Sequence, residues 1–221
     1  MGVYFNPGNS GFERMLKGEY RDKTGLIGLL NNRINSTRGL VCVSRPRRFG
    51  KSFAIDMLNA YYDHTCDSRT LFADKEIGGA ADYEEHLNQY HVISIDMAGA
   101  ISKLKRKEHS VKNVVNYVST GIRDEIVQAC PELKAMSDVS DCIEKCVEVT
   151  GRKFVFLIDE WDVVIREAKE DEETQESYLN LLREWFKNRN FTPKVVAAAY
   201  MTGILPIKKD GSESAVSDFH E

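Results

Sequence analysis

A mainly parallel β-sheet covered by helices on both faces is the architecture this sequence predicts, and three observations predict it. Short apolar, β-branched runs occur at 40–44, 91–97, 153–158 and 194–202. Between them lie segments whose apolar residues recur at helical spacing, so strands alternate with helices. Two of the runs stop abruptly at groups of another kind, Gly50-Lys51-Ser52 shortly after the first and Asp159-Glu160 after the third. Parallel sheets collect such groups at the carboxyl ends of their strands.

The elements follow in order. Residues 1–38 read as a small N-terminal helical extension, with a capped short helix over 9–16 and a second over 23–35 carrying Leu26, Ile27, Leu29, Leu30 and Ile34. The core domain is expected over 39–221. It opens with the strand 40–44 and the helix 51–63, whose run Phe53-Ala-Ile-Asp-Met-Leu has the helical period. A second strand is expected at 91–97 and a polar, basic connector at 103–107. Val111, Val114, Val115, Val118, Ile122 and Ile126 mark an amphipathic helix over 110–130 that ends before Pro131. A helix over 139–149, the acid-bearing strand 153–158, an acidic connector at 167–176, a helix over 175–189 and a last strand at 194–202 complete the series.

The run Arg45-Pro46-Arg47-Arg48-Phe49-Gly50-Lys51-Ser52 lies between a strand and a helix. A loop in that position cradles a triphosphate when glycine lets backbone N–H groups approach anionic oxygens, lysine reaches the outer phosphates and a serine hydroxyl ligates Mg²⁺. The positive end of the next helix adds to the same field. The usual pattern has a glycine where this chain has Arg45. Pro46 biases Arg45 to an extended conformation, so the loop is expected to start without a positive φ.

Five apolar residues, Phe154 to Ile158, precede Asp159 and Glu160. Such a strand delivers Asp159 to the Mg²⁺ hydration shell and Glu160 to an attacking water as general base. Thr202 ends the last strand before a glycine and reads equally as a strand terminator or as a hydroxyl that senses the γ-phosphate. Trp161, next to the acids, is expected to pack rather than to stack on a base. Together these features predict a P-loop NTPase three-layer α/β/α sandwich using ATP and Mg²⁺. Nothing in the chain resembles the guanine-reading run Asn-Lys-x-Asp.

The block Arg45 to Ser52, with Asp22-Lys-Thr24 upstream and Ile158-Asp-Glu-Trp-Asp162 and Tyr200-Met-Thr-Gly-Ile204 downstream, resembles the bacterial AAA-ATPase-like family over nearly the whole chain. That resemblance implies a P-loop ATPase domain commonly followed by a nuclease-like domain of the PD-(D/E)XK type, and accounts for Arg45 in place of glycine. Arg21 departs from the family, which usually has an apolar residue there. The resemblance further implies helices after residue 221, so the chain is expected to stop before a closing lid, and slow hydrolysis follows because neither Arg183 nor Arg189 sits in a finger motif.

A net charge of −4 argues against a surface devoted to nucleic acid. Five cysteines without C-x-x-C spacing suit reduced thiols in a cytoplasm, and Cys142 and Cys146 lack partners for a metal site. No apolar run approaches membrane-spanning length. Two functions are therefore expected: a Mg²⁺-dependent ATPase moving an attached effector or partner, or a nucleotide-binding scaffold with little turnover. Glu160 separates them.

Overall fold

The computed structural model describes residues 2–46, 48–205 and 216–221. Arg47, expected among the loop residues, and the polar stretch 208–214 lie outside the described residues. Strands β1 (Leu40–Ser44), β2 (His91–Asp96), β3 (Phe154–Asp159) and β4 (Val196–Gly203) form one parallel sheet in the order β1-β4-β3-β2. The last strand of the series thus lies between the first and the third. All eight residues of β4 are buried, and its three consecutive alanines are tolerated in a central strand because packing on both faces overrides their modest strand preference. On the free edge of β1, the Cys42 amide donates to the His220 carbonyl at 2.9 Å and the His220 amide to the Leu40 carbonyl at 2.9 Å.

Strand alternation divides the core into two layers. Val155 and Leu157 face α1 (Ser10–Leu16), α2 (Gly25–Asn31) and α3 (Lys51–Tyr62), where Phe12, Ile27, Leu58 and Tyr61 are buried. The short helices α4 (Arg69–Phe72) and α5 (Tyr83–His86) close the end of that layer with Phe72 and Tyr83. Phe154, Phe156 and Ile158 face the other layer, built from α6 (Met97–Arg106), α7 (Val114–Ala129), α8 (Val139–Thr150), α9 (Val163–Glu167), α10 (Glu172–Lys187) and α11 (Thr192–Val195). The three-layer α/β/α sandwich is as the sequence predicts.

Several local expectations are corrected. Asn9 makes no side-chain cap on α1; its amide instead donates to Asp67 O at 3.1 Å and Ser68 Oγ at 3.2 Å. The basic run 103–107 is not a connector but the last turn and C-cap of α6, where cations complement the helix dipole. The acidic connector is interrupted as well. Arg166 and Glu167 end α9, and Asp171 caps α10 by accepting the Thr174 amide at 3.1 Å.

Candidate functional site

β1 delivers the chain to the carboxyl edge of the sheet, where the Arg45 amide donates to Gly203 O at 3.1 Å. Arg45 is absent from the residues with positive φ, as Pro46 requires. The reversal occurs later, at Arg48 with φ 69° and Gly50 with φ 75°. Gly50 is the N-cap of α3 and supplies no side-chain cap. The first α3 bond runs from the Ala54 amide to Gly50 O at 3.1 Å, so the amides before Ala54 have no acceptor within the helix. Orphan amides on a left-handed glycine turn, at the positive end of a twelve-residue helix, form an anion cradle.

The Lys51 cation is held by the loop itself. Its ammonium donates to Arg45 O at 2.9 Å and Pro46 O at 3.0 Å, folded back over its own loop. Two carbonyl oxygens of the loop thus hold the ammonium. Arg48 and Phe49 are exposed, Phe49 by 59%.

The parallel register sets Val43 beside Thr202 and Ile158 beside Met201, so Thr202 lies between the loop strand and the acid strand. Asp159, 7% exposed, accepts from the Ser52 hydroxyl at 2.5 Å through Oδ2 and from the Thr202 hydroxyl through Oδ1. Two hydroxyls named from the sequence therefore converge on one carboxylate also named from it. Hydroxyl and carboxylate are hard oxygen donors of the kind Mg²⁺ takes, with waters and phosphate completing its shell.

Glu160 follows in a left-handed conformation, φ 52°, and its amide donates to Thr202 Oγ1 at 3.3 Å. Its carboxylate pairs with Arg166 Nη2 at 3.4 Å, while Arg166 Nε donates to Asp162 at 2.9 Å. Asp162 is fully buried and also accepts the Ile204 and Leu205 amides at 3.2 and 3.1 Å. Trp161 is 2% exposed, its amide bonded to Thr202 O at 2.9 Å. It packs, as expected.

An open cleft of about 1160 Å³ lies beside these groups, lined by Ser52 and Glu160. One wall is the loop and the first turns of α3, with Lys51, Ser52 and Asp56; Glu160 reaches it from the end of β3, and the opposite wall is drawn from the stretch between Arg14 and Lys23. Asp56 is raised above the usual carboxylate range by burial, with Asp159 adding to the rise and Arg14 opposing it. Next to Lys23, burial alone would raise Asp22, but amide bonds from Glu76 and Thr24 hold it below the usual carboxylate range. Neither Arg183 nor Arg189 lines the cleft, and Arg183 pairs with Glu176 at 2.6 Å on α10.

Sequence reasoning missed Arg166 and Asp56. Arg166 was detectable as the i+4 partner of Asp162; Asp56, one turn after Ser52, carried no distinguishing pattern. Cys142 and Cys146 lie buried in α8, their thiols pushed up by burial to about 11 and about 12. Among the described residues no group of three or more His, Cys, Asp or Glu is arranged to hold a metal, and no helix is long and apolar enough to cross a membrane.

Residues 8–212 match a family described as predicted AAA-ATPase. No curated protein and no solved structure matches the chain. The family match spans both walls of the cleft, the loop, the acid strand and Thr202, and it supports a general nucleotide-binding ATPase role. With the sheet, the loop and the acids arranged as described, the chain belongs to the AAA-ATPase-like family of predicted AAA-ATPases.

Proposed function

We propose that this chain binds ATP with Mg²⁺ in the cleft and hydrolyses it, passing its nucleotide state to an effector outside these residues such as a nuclease-like domain or a protein partner. The observation that carries the reading is the Ser52–Asp159–Thr202 set, which ties the phosphate loop to the acid strand through one carboxylate. The α3 amides and Lys51 hold the phosphates, Lys51 exchanging the Arg45 and Pro46 carbonyls for phosphate oxygens. Arg45, Pro46, Arg48 and Phe49 shape the loop around them. Ser52 and Asp159 hold the metal, which when bound supplies charge neutralisation at the outer phosphates. Glu160 accepts the proton of the attacking water, and Thr202 fixes the Asp159 carboxylate and the Glu160 backbone.

One observation favours the binding scaffold instead. Arg166 occupies the Glu160 carboxylate at 3.4 Å, so the group needed to accept a proton from water already has a partner. Calorimetric titration of the purified chain with ATP, with and without Mg²⁺, combined with steady-state phosphate release, tests both readings. Mg²⁺-enhanced binding with release supports the ATPase, binding without release supports the scaffold, and absence of binding rejects both.

A further inference from the structure

We infer that Lys23, from the N-terminal segment, is a second phosphate cation that meets the triphosphate from the wall opposite Lys51. The inference rests on the nucleotide reading of the cleft and adds a residue to it. Lys23 stands on a pinned piece of backbone. Asp22 accepts the Thr24 amide at 2.8 Å and the Glu76 amide at 2.9 Å, and the fully buried Thr24 accepts the Ile77 amide at 3.2 Å. The Tyr20 hydroxyl donates to Asp22 at 3.3 Å and accepts the Lys23 amide at 3.4 Å. Only the side chain of Lys23 is left to move.

That side chain lies over the phosphate loop. Its ammonium donates to Phe49 O at 3.4 Å, and a Cβ built on Gly50 would meet it at 2.9 Å. The α3 amides start at that glycine, so an anion they cradle comes within reach of Lys23. The exposed ammonium makes one long bond to a carbonyl and has donors to spare for a ligand, and among the described residues no carboxylate pairs with Lys23. Arg14, Arg21, Arg48 and Lys51 line the same cleft against three acids, Glu19, Asp56 and Glu160, the last of them paired with Arg166. Cations in excess of acids repel one another unless an anion joins them. A triphosphate is the anion the loop is shaped for, and the bare glycine under Lys23 leaves room for both.

The simpler role for Lys23 is a tether between the two walls, and the test separates the roles. ATP affinity by calorimetry, its dependence on salt, and the melting temperature without nucleotide are measured for wild type, Lys23→Gln, Lys23→Arg and Lys51→Ala. As a phosphate cation, Lys23→Gln weakens ATP binding about tenfold and makes it less sensitive to salt. Its melting temperature stays at the wild-type value, and Lys23→Arg restores most of the affinity. A lowered melting temperature with unchanged salt sensitivity would reduce Lys23 to a tether and overturn the inference. Full ATP affinity in Lys23→Gln, with affinity lost in Lys51→Ala, would overturn it while leaving the nucleotide reading intact; a wild type that binds no ATP would overturn both.

Discussion

Ser52 and Asp159, separated by 107 positions, share a hydrogen bond of 2.5 Å at the carboxyl edge of the sheet. The hydroxyl at the start of α3 is thereby fixed to the acid at the end of β3, and Thr202 holds the same carboxylate from the strand between. A carboxylate so placed accepts from both hydroxyls at once. Asp159→Asn keeps the shape but loses the charge. ATP binding by this variant is expected to lose most of its Mg²⁺ enhancement, with about a tenfold loss of affinity, about 1.4 kcal/mol, when Mg²⁺ is present. Titrations with Mg²⁺ and with a chelator make the comparison; an undiminished Mg²⁺ effect would remove Asp159 from the metal site.

Lys51→Ala is expected to lower ATP affinity by about one to two decades, the loss of a charge-assisted contact of roughly 1.5–3 kcal/mol. Because the ammonium also ties down the Arg45 and Pro46 carbonyls, the loop should loosen while the core keeps its stability. Calorimetry and a thermal melt read the two effects. Equal ATP affinity in variant and wild type would refute the loop assignment.

Glu160→Gln removes the base and preserves the side-chain shape. ATP binding should persist while phosphate release falls by about 10²–10⁴. Arg166→Ala frees the Glu160 carboxylate but leaves the buried Asp162 without its cationic partner, so it should lower stability by about 3–5 kcal/mol. Arg166→Lys is the gentler variant for the rate measurement. Wild-type turnover in Glu160→Gln would shift the account to the scaffold.

Gly203→Ala probes the packing that holds the acids in place. Its Cβ would meet Trp161 Nε1 at 2.6 Å, Cδ1 at 2.8 Å and Asp162 Oδ1 at 3.0 Å. Trp161 and Asp162 are buried and cannot swing away, so a loss of about 1–3 kcal/mol from overpacking is expected in urea unfolding. A variant as stable as wild type would mean that the β4 end yields more readily than the structure implies.

The amino end of the sheet carries a pH dependence unrelated to nucleotide. His64 Nε2 and His91 Nδ1 lie 3.0 Å apart, with Asn6 beside both and Thr150 on His91 Nε2 at 2.9 Å. Burial, then the neighbouring His64 and Arg152, push His91 down to about 3. Burial and Arg152 lower His64, against the opposing pull of Asp63. The unfolded chain takes up these protons near pH ~6.5, before the folded chain does. Stability is therefore full above that pH and falls as the pH drops toward 3, by at most ~1.4 kcal/mol per pH unit from His91 and less from half-buried His64. His91→Gln should flatten urea-unfolding stability between pH 7 and pH 5. The same slope in variant and wild type would place the titration elsewhere.

All four strands were legible in the sequence to within about two residues, because a buried parallel strand must be apolar on both faces and so leaves a continuous run. The helices α3, α7, α8 and α10 were legible from their period. Segment 64–90 was not, since α4 and α5 have four residues each, too few turns for a periodic stripe to emerge. The basic run at 103–107 misled for a related reason. Ala100, Ile101 and Leu104 give α6 only one buried stripe, and cations cover the rest of the surface.

The sequence by itself determined the chemistry on offer: a glycine that permits the loop reversal, a lysine and a serine behind it, two acids after a buried strand, and a threonine after another. Those identities follow from local rules of backbone conformation and burial. Which of them meet was decided by the tertiary structure, because strand order is set by how helices pack on the two faces and not by any local signal. Inserting β4 between β1 and β3 brings Thr202 to Asp159. Folding residues 14–23 across the loop brings Lys23 to Gly50, and the short α9 returns Arg166 to Glu160. Each of these contacts depends on the close packing of elements that are only weakly specified alone, and so only the folded chain reveals them.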